Sequence, residues 1–191
     1  MTIAANLASI HERIAAAANR AGRNPKEIAL MAVSKTHPPE RIREAYEAGL
    51  RVFGENRIQE FASKIGALQN LPAAEWHMIG HLQTNKASKA TELFHAVDSV
   101  DSLKLAEKLD AAARQLGKKL NVLLEINVGG EAAKSGMAPE SRELEELLSA
   151  ALDLEHLEFR GLMTIPPFSN DPQEARAYFG KLRDRSEEAH V

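Results

Sequence analysis

Lys35 closes an apolar run, Ile28–Ser34, and is the side chain best placed for nucleophilic chemistry. Lysine is seldom buried because desolvating its charge is costly. A lysine partly withdrawn from water has a lowered pKa, and its neutral amine attacks aldehydes to form a Schiff base. A solvated loop lysine is the competing reading of the same position. His77 and His81 are four apart, which suits a metal pair on a helix. Gly80 lies between them at what reads as a strand end, so helical spacing does not apply. Glu55 reads as an acid or base, or as a helix N-terminal carboxylate favoured by the dipole. Lys86 and Lys134 read as surface charges or as an anion-attracting rim. Trp76 reads as core or strand-edge packing, and Gly129-Gly130 as a short turn rather than a phosphate loop. The chain has no cysteine, so disulfides, thiolate zinc sites and cysteine nucleophiles are excluded.

The elements that must position these residues alternate along the chain. Ile3, Leu7, Ile10 and Ile14 lay one apolar stripe on a first helix, which continues to Ala21 and ends at Gly22. Strand-sized apolar runs follow at Ile28–Ser34, Arg51–Phe53, Trp76–Ile79, Phe94–Val97, Leu120–Val128 and Leu157–Ile165. Several lack polar alternation, which predicts strands buried on both faces of a parallel sheet. Helical patterns separate them. One opens at Pro38-Pro39 and stops at Gly49; one carries Ile58, Phe61, Ile65 and Leu68; a weaker one covers 83–93. Another runs from Leu103 to Gly117, and the next starts at Pro139. The last opens with Asp171-Pro172-Gln173-Glu174, an N-cap acid, a first-turn Pro and a third-position Glu.

Repeated β/α units predict a parallel sheet with right-handed crossovers. An open doubly wound sheet and a (β/α)8 barrel, typically about 250 residues long, both fit that pattern. No G-x-G-x-x-G turn follows the first strand, which counts against a dinucleotide fold. In either architecture chemistry gathers at the carboxyl ends of the strands. That places Ser34-Lys35-Thr36, Gly54-Glu55-Asn56, Gly80-His81-Leu82-Gln83, Asp98-Ser99, Glu125 with Asn127, and Met163-Thr164 together in kind.

Composition narrows the function classes. Apolar residues make up 44%, enough for a packed core, and the net charge of −3 with 5% aromatics argues against a nucleic-acid binder. No apolar stretch approaches the roughly 20 residues of a membrane helix. The N-terminus lacks the pattern of a signal peptide. The expectation is a soluble cytoplasmic protein with no membrane or nucleic-acid partner.

Five motifs in order add a resemblance. They are Ala32-Val33-Ser34-Lys35-Thr36, Phe53-Gly54-Glu55-Asn56 with Gln59-Glu60, the run from Trp76 to Lys86, Lys134-Ser135-Gly136, and Arg160-Gly161-Leu162-Met163-Thr164-Ile165-Pro166. The chain resembles the pyridoxal phosphate homeostasis proteins, which are similar to the N-terminal barrel of alanine racemases. The resemblance implies an α/β fold, a (β/α)8 TIM-type barrel of the alanine racemase N-terminal kind. It implies pyridoxal 5′-phosphate as a Schiff base on Lys35, with Asn56, Leu82 and Met163 near the cofactor. Lys134 matches a family lysine linked to a second or transient cofactor molecule. No catalytic residue and no metal are implied. The implied role is vitamin B6 homeostasis: binding, buffering or delivering the cofactor to apo-enzymes, as a monomer and without turnover. A pyridoxal-phosphate-dependent racemase or decarboxylase, and a cofactor-free interaction module, are the alternatives.

The sequence stops at Val191, after the sixth β/α unit. The family pattern continues with a Ser-Met-Gly-Met-Ser-like and an Arg-x-Gly-Thr-like segment, the expected last two strands, which hold the cofactor phosphate. The expectation is a single cofactor-binding barrel domain over residues 1–191 with about six of the eight units, a truncated member with weakened retention of its cofactor.

Overall fold

Helices and strands form largely where periodicity and capping require them. The computed structural model describes residues 2–131 and 134–189. They divide into two compact units, one ending at Trp76 and the other beginning at His77.

The first unit opens with α1 (Ile3–Arg20), capped by the Thr2 hydroxyl, which accepts from the Ala5 amide. Gly22, at φ 66°, turns the chain out of the helix in the left-handed conformation that glycine adopts without a Cβ clash. β1 (Met31–Val33) pairs in parallel with β2 (Val52–Glu55), with Ala32 opposite Phe53. β1 is shorter than the apolar run that predicts it, because Pro25–Glu27 makes a 3-10 turn and the ladder starts only at Met31. α2 (Pro39–Glu47) connects the two strands, with Pro39 in the first turn, where a missing N–H is tolerated. α3 (Ile58–Lys64) follows β2 and tightens into a 3-10 turn at Ile65–Leu68. Phe53 of β2 and Phe61 of α3 pack against Trp76 with ring centroids 5.1 and 5.0 Å away. All three rings are buried, so Trp76 is core packing.

β3 (Glu75–Met78) runs across the division. In the second unit it pairs with β4 (Ala96–Val100), β4 with β5 (Leu120–Glu125), and β5 with β6 (Leu157–Met163). Every described strand pair is parallel, as β/α repeats require. The helices are α4 (Ala87–Leu93), α5 (Leu103–Gln115), α6 (Arg142–Ala150) and α7 (Pro172–Ala189). The stretch 83–93 is part 3-10 turn, at Thr84–Lys86, and part α4. α5 is capped by Ser102 and buries Leu105, Ala106 and Leu109 on one face.

Three sequence expectations change. α6 starts at Arg142 rather than Pro139, because the Ser141 hydroxyl accepts from the Leu144 amide and sets the cap. Burial on both faces holds for β4, all of whose residues are buried, but not for β1, where Val33 is 48% exposed. Nor does it hold for β6, most of whose residues are half-buried; its described pairing is to β5 alone, whereas β4 is paired with both β3 and β5. α7 carries the apolar positions Ala175, Tyr178, Phe179 and Leu182 yet buries none of them. Its tie is polar: Arg185 donates to the Pro139 carbonyl at 2.9 Å and pairs with Glu145. Among the described residues no helix is long and apolar enough to cross a membrane.

Phe61 is fully enclosed. Phe61→Ala should destabilise the first unit by about 3–5 kcal/mol, the sum of lost transfer energy and an unfilled cavity. A urea titration followed by the fluorescence of Trp76, the only tryptophan, reads this directly. An unchanged midpoint would show that the ring does not hold the core.

Candidate functional site

In the first unit the chain leaves β1 through a tight turn, 34–37, closed by the His37 amide donating to the Ser34 carbonyl at 3.1 Å. Thr36 occupies its third position at φ 64°. Lys35, the second residue, is not in the left-handed region, so the turn is of type II, which favours Gly or Asn at its third position. A β-branched residue there is an uncommon choice.

Lys35 is exposed. Among the described residues its side chain makes no hydrogen bond or ion pair. This corrects the expectation that Lys35 is partly withdrawn from water: what sets it apart is its turn, not burial. Asn56, half-buried, follows directly on β2. It shares the carboxyl end of the β1–β2 pair with Lys35, since Val33 stands opposite Gly54 and the Ser34 amide donates to the Gly54 carbonyl at 2.9 Å. A cavity of about 240 Å³ beside the turn is lined by Ser34, His37 and Arg41 among apolar residues, but not by Lys35.

Beneath the turn lies a buried ion cluster that inspection of the sequence missed. Lys64, the last residue of α3, is only 7% exposed at its side chain, and Glu55 is 0% exposed. The Lys64 ammonium is 2.9 Å from Glu55 Oε1 and 3.0 Å from Glu60 Oε1. It also donates to the Ser34 carbonyl at 3.1 Å and the His37 carbonyl at 3.4 Å, the two ends of the turn. The Ser34 hydroxyl donates to Glu55 Oε1 at 2.5 Å, and the Thr36 amide to Glu60 Oε1 at 2.6 Å. Glu55 is therefore neither a free acid–base group nor a helix-terminal carboxylate; it is the buried end of β2, and among the described residues its Oε2 has no partner. The Thr36 amide, then the Lys64 ammonium, hold the Glu60 carboxyl below its ordinary range. The i, i+4 spacing of Glu60 and Lys64 on α3 is the one sequence signal of the cluster.

In the second unit Leu82, just past β3, is buried, while Met163 at the end of β6 is half-buried. Each histidine has its own carboxylate: His77 Nδ1 lies 2.8 Å from Asp98 and His81 Nδ1 3.1 Å from Asp101. Glu125, at the end of β5, has a buried Oε2 with no partner among the described residues. Burial first, and the Asp101 carboxylate second, push its carboxyl above the usual range; His81 opposes them. Asn127 lies beyond β5, where its side chain donates to the Glu131 carbonyl. Lys134 pairs with Glu131 in the same loop. Gly136, at φ 103°, lets this loop bridge β5: an added Cβ would stand 2.9 Å from the Asn127 nitrogen.

This architecture has relatives. The family model for the alanine racemase N-terminal domain matches residues 5–190. The pyridoxal phosphate homeostasis protein of Aquifex aeolicus is 44% identical over 188 residues, covering 98% of this chain and 81% of that one. The chain belongs to this family of pyridoxal phosphate homeostasis proteins. PipY of Synechococcus elongatus, solved with pyridoxal phosphate bound, superposes with a TM-score of 0.82 at 39% identity, covering 98% of this chain and 82% of PipY. An alanine racemase of Clostridium difficile shares the fold, with a TM-score of 0.67 at 20% identity over 86% of this chain and 44% of its own. The homeostasis-protein fold, α/β with parallel strands, is thus the one expected from the sequence.

Three measurements follow from this geometry. The left-handed position costs threonine roughly 1–2 kcal/mol, whereas glycine adopts it at an entropic cost of about 0.5–1 kcal/mol. Thr36→Gly should therefore raise the unfolding free energy by up to about 1 kcal/mol; a loss in urea titration would deny the strain. Because the folded pKa of Glu60 is lowered, its contribution is complete above the ordinary carboxylate value of about 4.3 and is lost as pH falls through the lowered value. Glu60→Gln should flatten the acid limb of the stability curve. Glu125 has the opposite sign: its ionisation is disfavoured in the fold, so wild-type stability should fall relative to Glu125→Gln as pH rises from the carboxylate range to neutrality. A constant difference across that window would contradict the burial of an ionising Glu125.

Proposed function

We propose that this chain binds pyridoxal 5′-phosphate as a Schiff base on Lys35 and serves in intracellular homeostasis of that cofactor without turning over a substrate. The observation that carries the reading is the free, exposed amine of Lys35 on a turn tied down from both ends. When bound, the cofactor supplies an aldehyde whose carbon forms a C=N bond to an unprotonated lysine nitrogen with loss of water. The residues present fit such a group. Lys35 offers an unengaged nucleophile, whereas Lys64, with all its donors committed, offers none. Asn56 offers an amide at the same carboxyl end, for hydrogen bonds from the first unit.

PipY with its bound cofactor and the homeostasis names of the relatives support this reading. Those names denote a role in supply rather than a reaction, which supports a carrier over a racemase or decarboxylase. The reading carries with it a cytoplasmic, monomeric carrier that hands the cofactor to apo-enzymes.

Added pyridoxal phosphate should produce a visible absorption band, and borohydride should fix most of the label on Lys35. Lys35→Ala should abolish the band, and an amino-acid racemisation assay should show no turnover. Label spread evenly over the lysines would defeat the assignment, and sustained racemisation would make the chain an enzyme.

A further inference from the structure

Resting on the reading of Lys35 as the cofactor anchor, we propose that Lys64 is its positioning residue: the buried Lys64 ammonium, held between Glu55 and Glu60, fixes the 34–37 turn and so the direction in which Lys35 presents its amine. Lys35 is exposed and its side chain is long, so its aim depends on the backbone that carries it. That backbone is not self-supporting. The turn places Thr36 at φ 64°, against the preference of a β-branched residue, and within itself it has the single 34–37 hydrogen bond.

The enforcing contacts come from elsewhere in the first unit and converge on one group. Lys64 holds both end carbonyls of the turn, Glu60 holds the middle amide, and Glu55 holds the Ser34 hydroxyl. Both carboxylates reach the ammonium within 3.0 Å. Without it, two like charges would share one enclosed space, and the more exposed, Glu60, would leave for water and release Thr36. Lys64 therefore acts on the anchor through the turn rather than by touching the cofactor.

Pyridoxal phosphate itself is the probe. It is achiral, so circular dichroism in its visible band, divided by the absorbance of that band, reports how firmly the bound group is held in one orientation, whatever the amount bound. A merely structural residue would change the amount and leave the ratio. Lys64→Met should keep the far-ultraviolet spectrum of a folded chain, lower the visible ratio several-fold, and spread borohydride-fixed label away from Lys35. In the same variant without cofactor, exchange of the Thr36 and His37 amides should quicken by about tenfold or more. Glu60→Gln keeps Lys64 and an acceptor for Thr36 and should give a smaller loss of the same kind; it decides the matter if Lys64→Met does not fold. An unchanged ratio with unchanged amide protection, in whichever of these variants is folded, overturns the inference. A wild-type chain that shows no preference for Lys35 defeats the cofactor reading instead, and the cofactor-free exchange measurement then decides alone whether Lys64 fixes the turn.

Discussion

An ammonium group withdrawn from water must find acceptors, and in the first unit this requirement organises everything around the end of β1. Lysine gives up strong hydration on burial, and removing one partner of a buried ion pair typically costs about 3–5 kcal/mol. Lys64 meets that demand with two carboxylates and two backbone carbonyls drawn from β2, α3 and the turn after β1. Each acceptor is in turn committed: Glu55 to Ser34 and Glu60 to Thr36. A turn with an unfavourable residue at its third position is thereby held open to solvent with a free lysine on it. The division of labour between two lysines is simple. One, Lys64, is buried and saturated; the other, Lys35, is exposed and unengaged among the described residues.

The second unit treats its polar groups differently. His77 and His81 are satisfied pairwise, each by one aspartate, whereas Glu125 Oε2 has no partner among the described residues. Burial and the Asp101 carboxylate make that carboxyl harder to ionise than an ordinary one, and an added hydrogen-bond donor would offset part of the cost. This chain thus has a tightly held turn after β1 in its first unit and, in its second, a strand-end carboxylate with hydrogen-bonding capacity to spare.

Much of the fold was legible in the sequence because its signals are local. Thr2, Ser102 and Asp171-Pro172 mark helix starts by chemistry that acts within one turn, and Gly22 marks an exit in the same way. The errors arose where local signals competed or where burial depends on distant neighbours. Ser141 prevailed over Pro139 as the start of α6 because a hydroxyl can accept from the helix amides and a proline ring cannot. Val33 and the apolar positions of α7 look like core residues in the sequence, but burial is a property of what packs against them. Around the end of β1, the place of Lys35 just past the strand was legible in the sequence, whereas the burial of Lys64 was not. Its partner Ser34 is 30 positions away in the chain, Ser34 is in turn 21 positions from Glu55, and no short pattern encodes that convergence.

α3 is seven residues long and carries Glu60, Phe61 and Lys64 in its single pair of turns. Phe61 supplies a wall of the aromatic core, and Glu60 and Lys64 supply the clamp. Successive residues of an α-helix are rotated by about 100° around its axis. A one-residue insertion or deletion between Arg57 and Glu60 would swing ring, carboxylate and ammonium away from their partners in the same stroke. The reading frame of this short helix is therefore shared between the aromatic core and the turn that carries Lys35, and natural length variation in the first unit should accumulate in the segment after Leu68 rather than between β2 and α3.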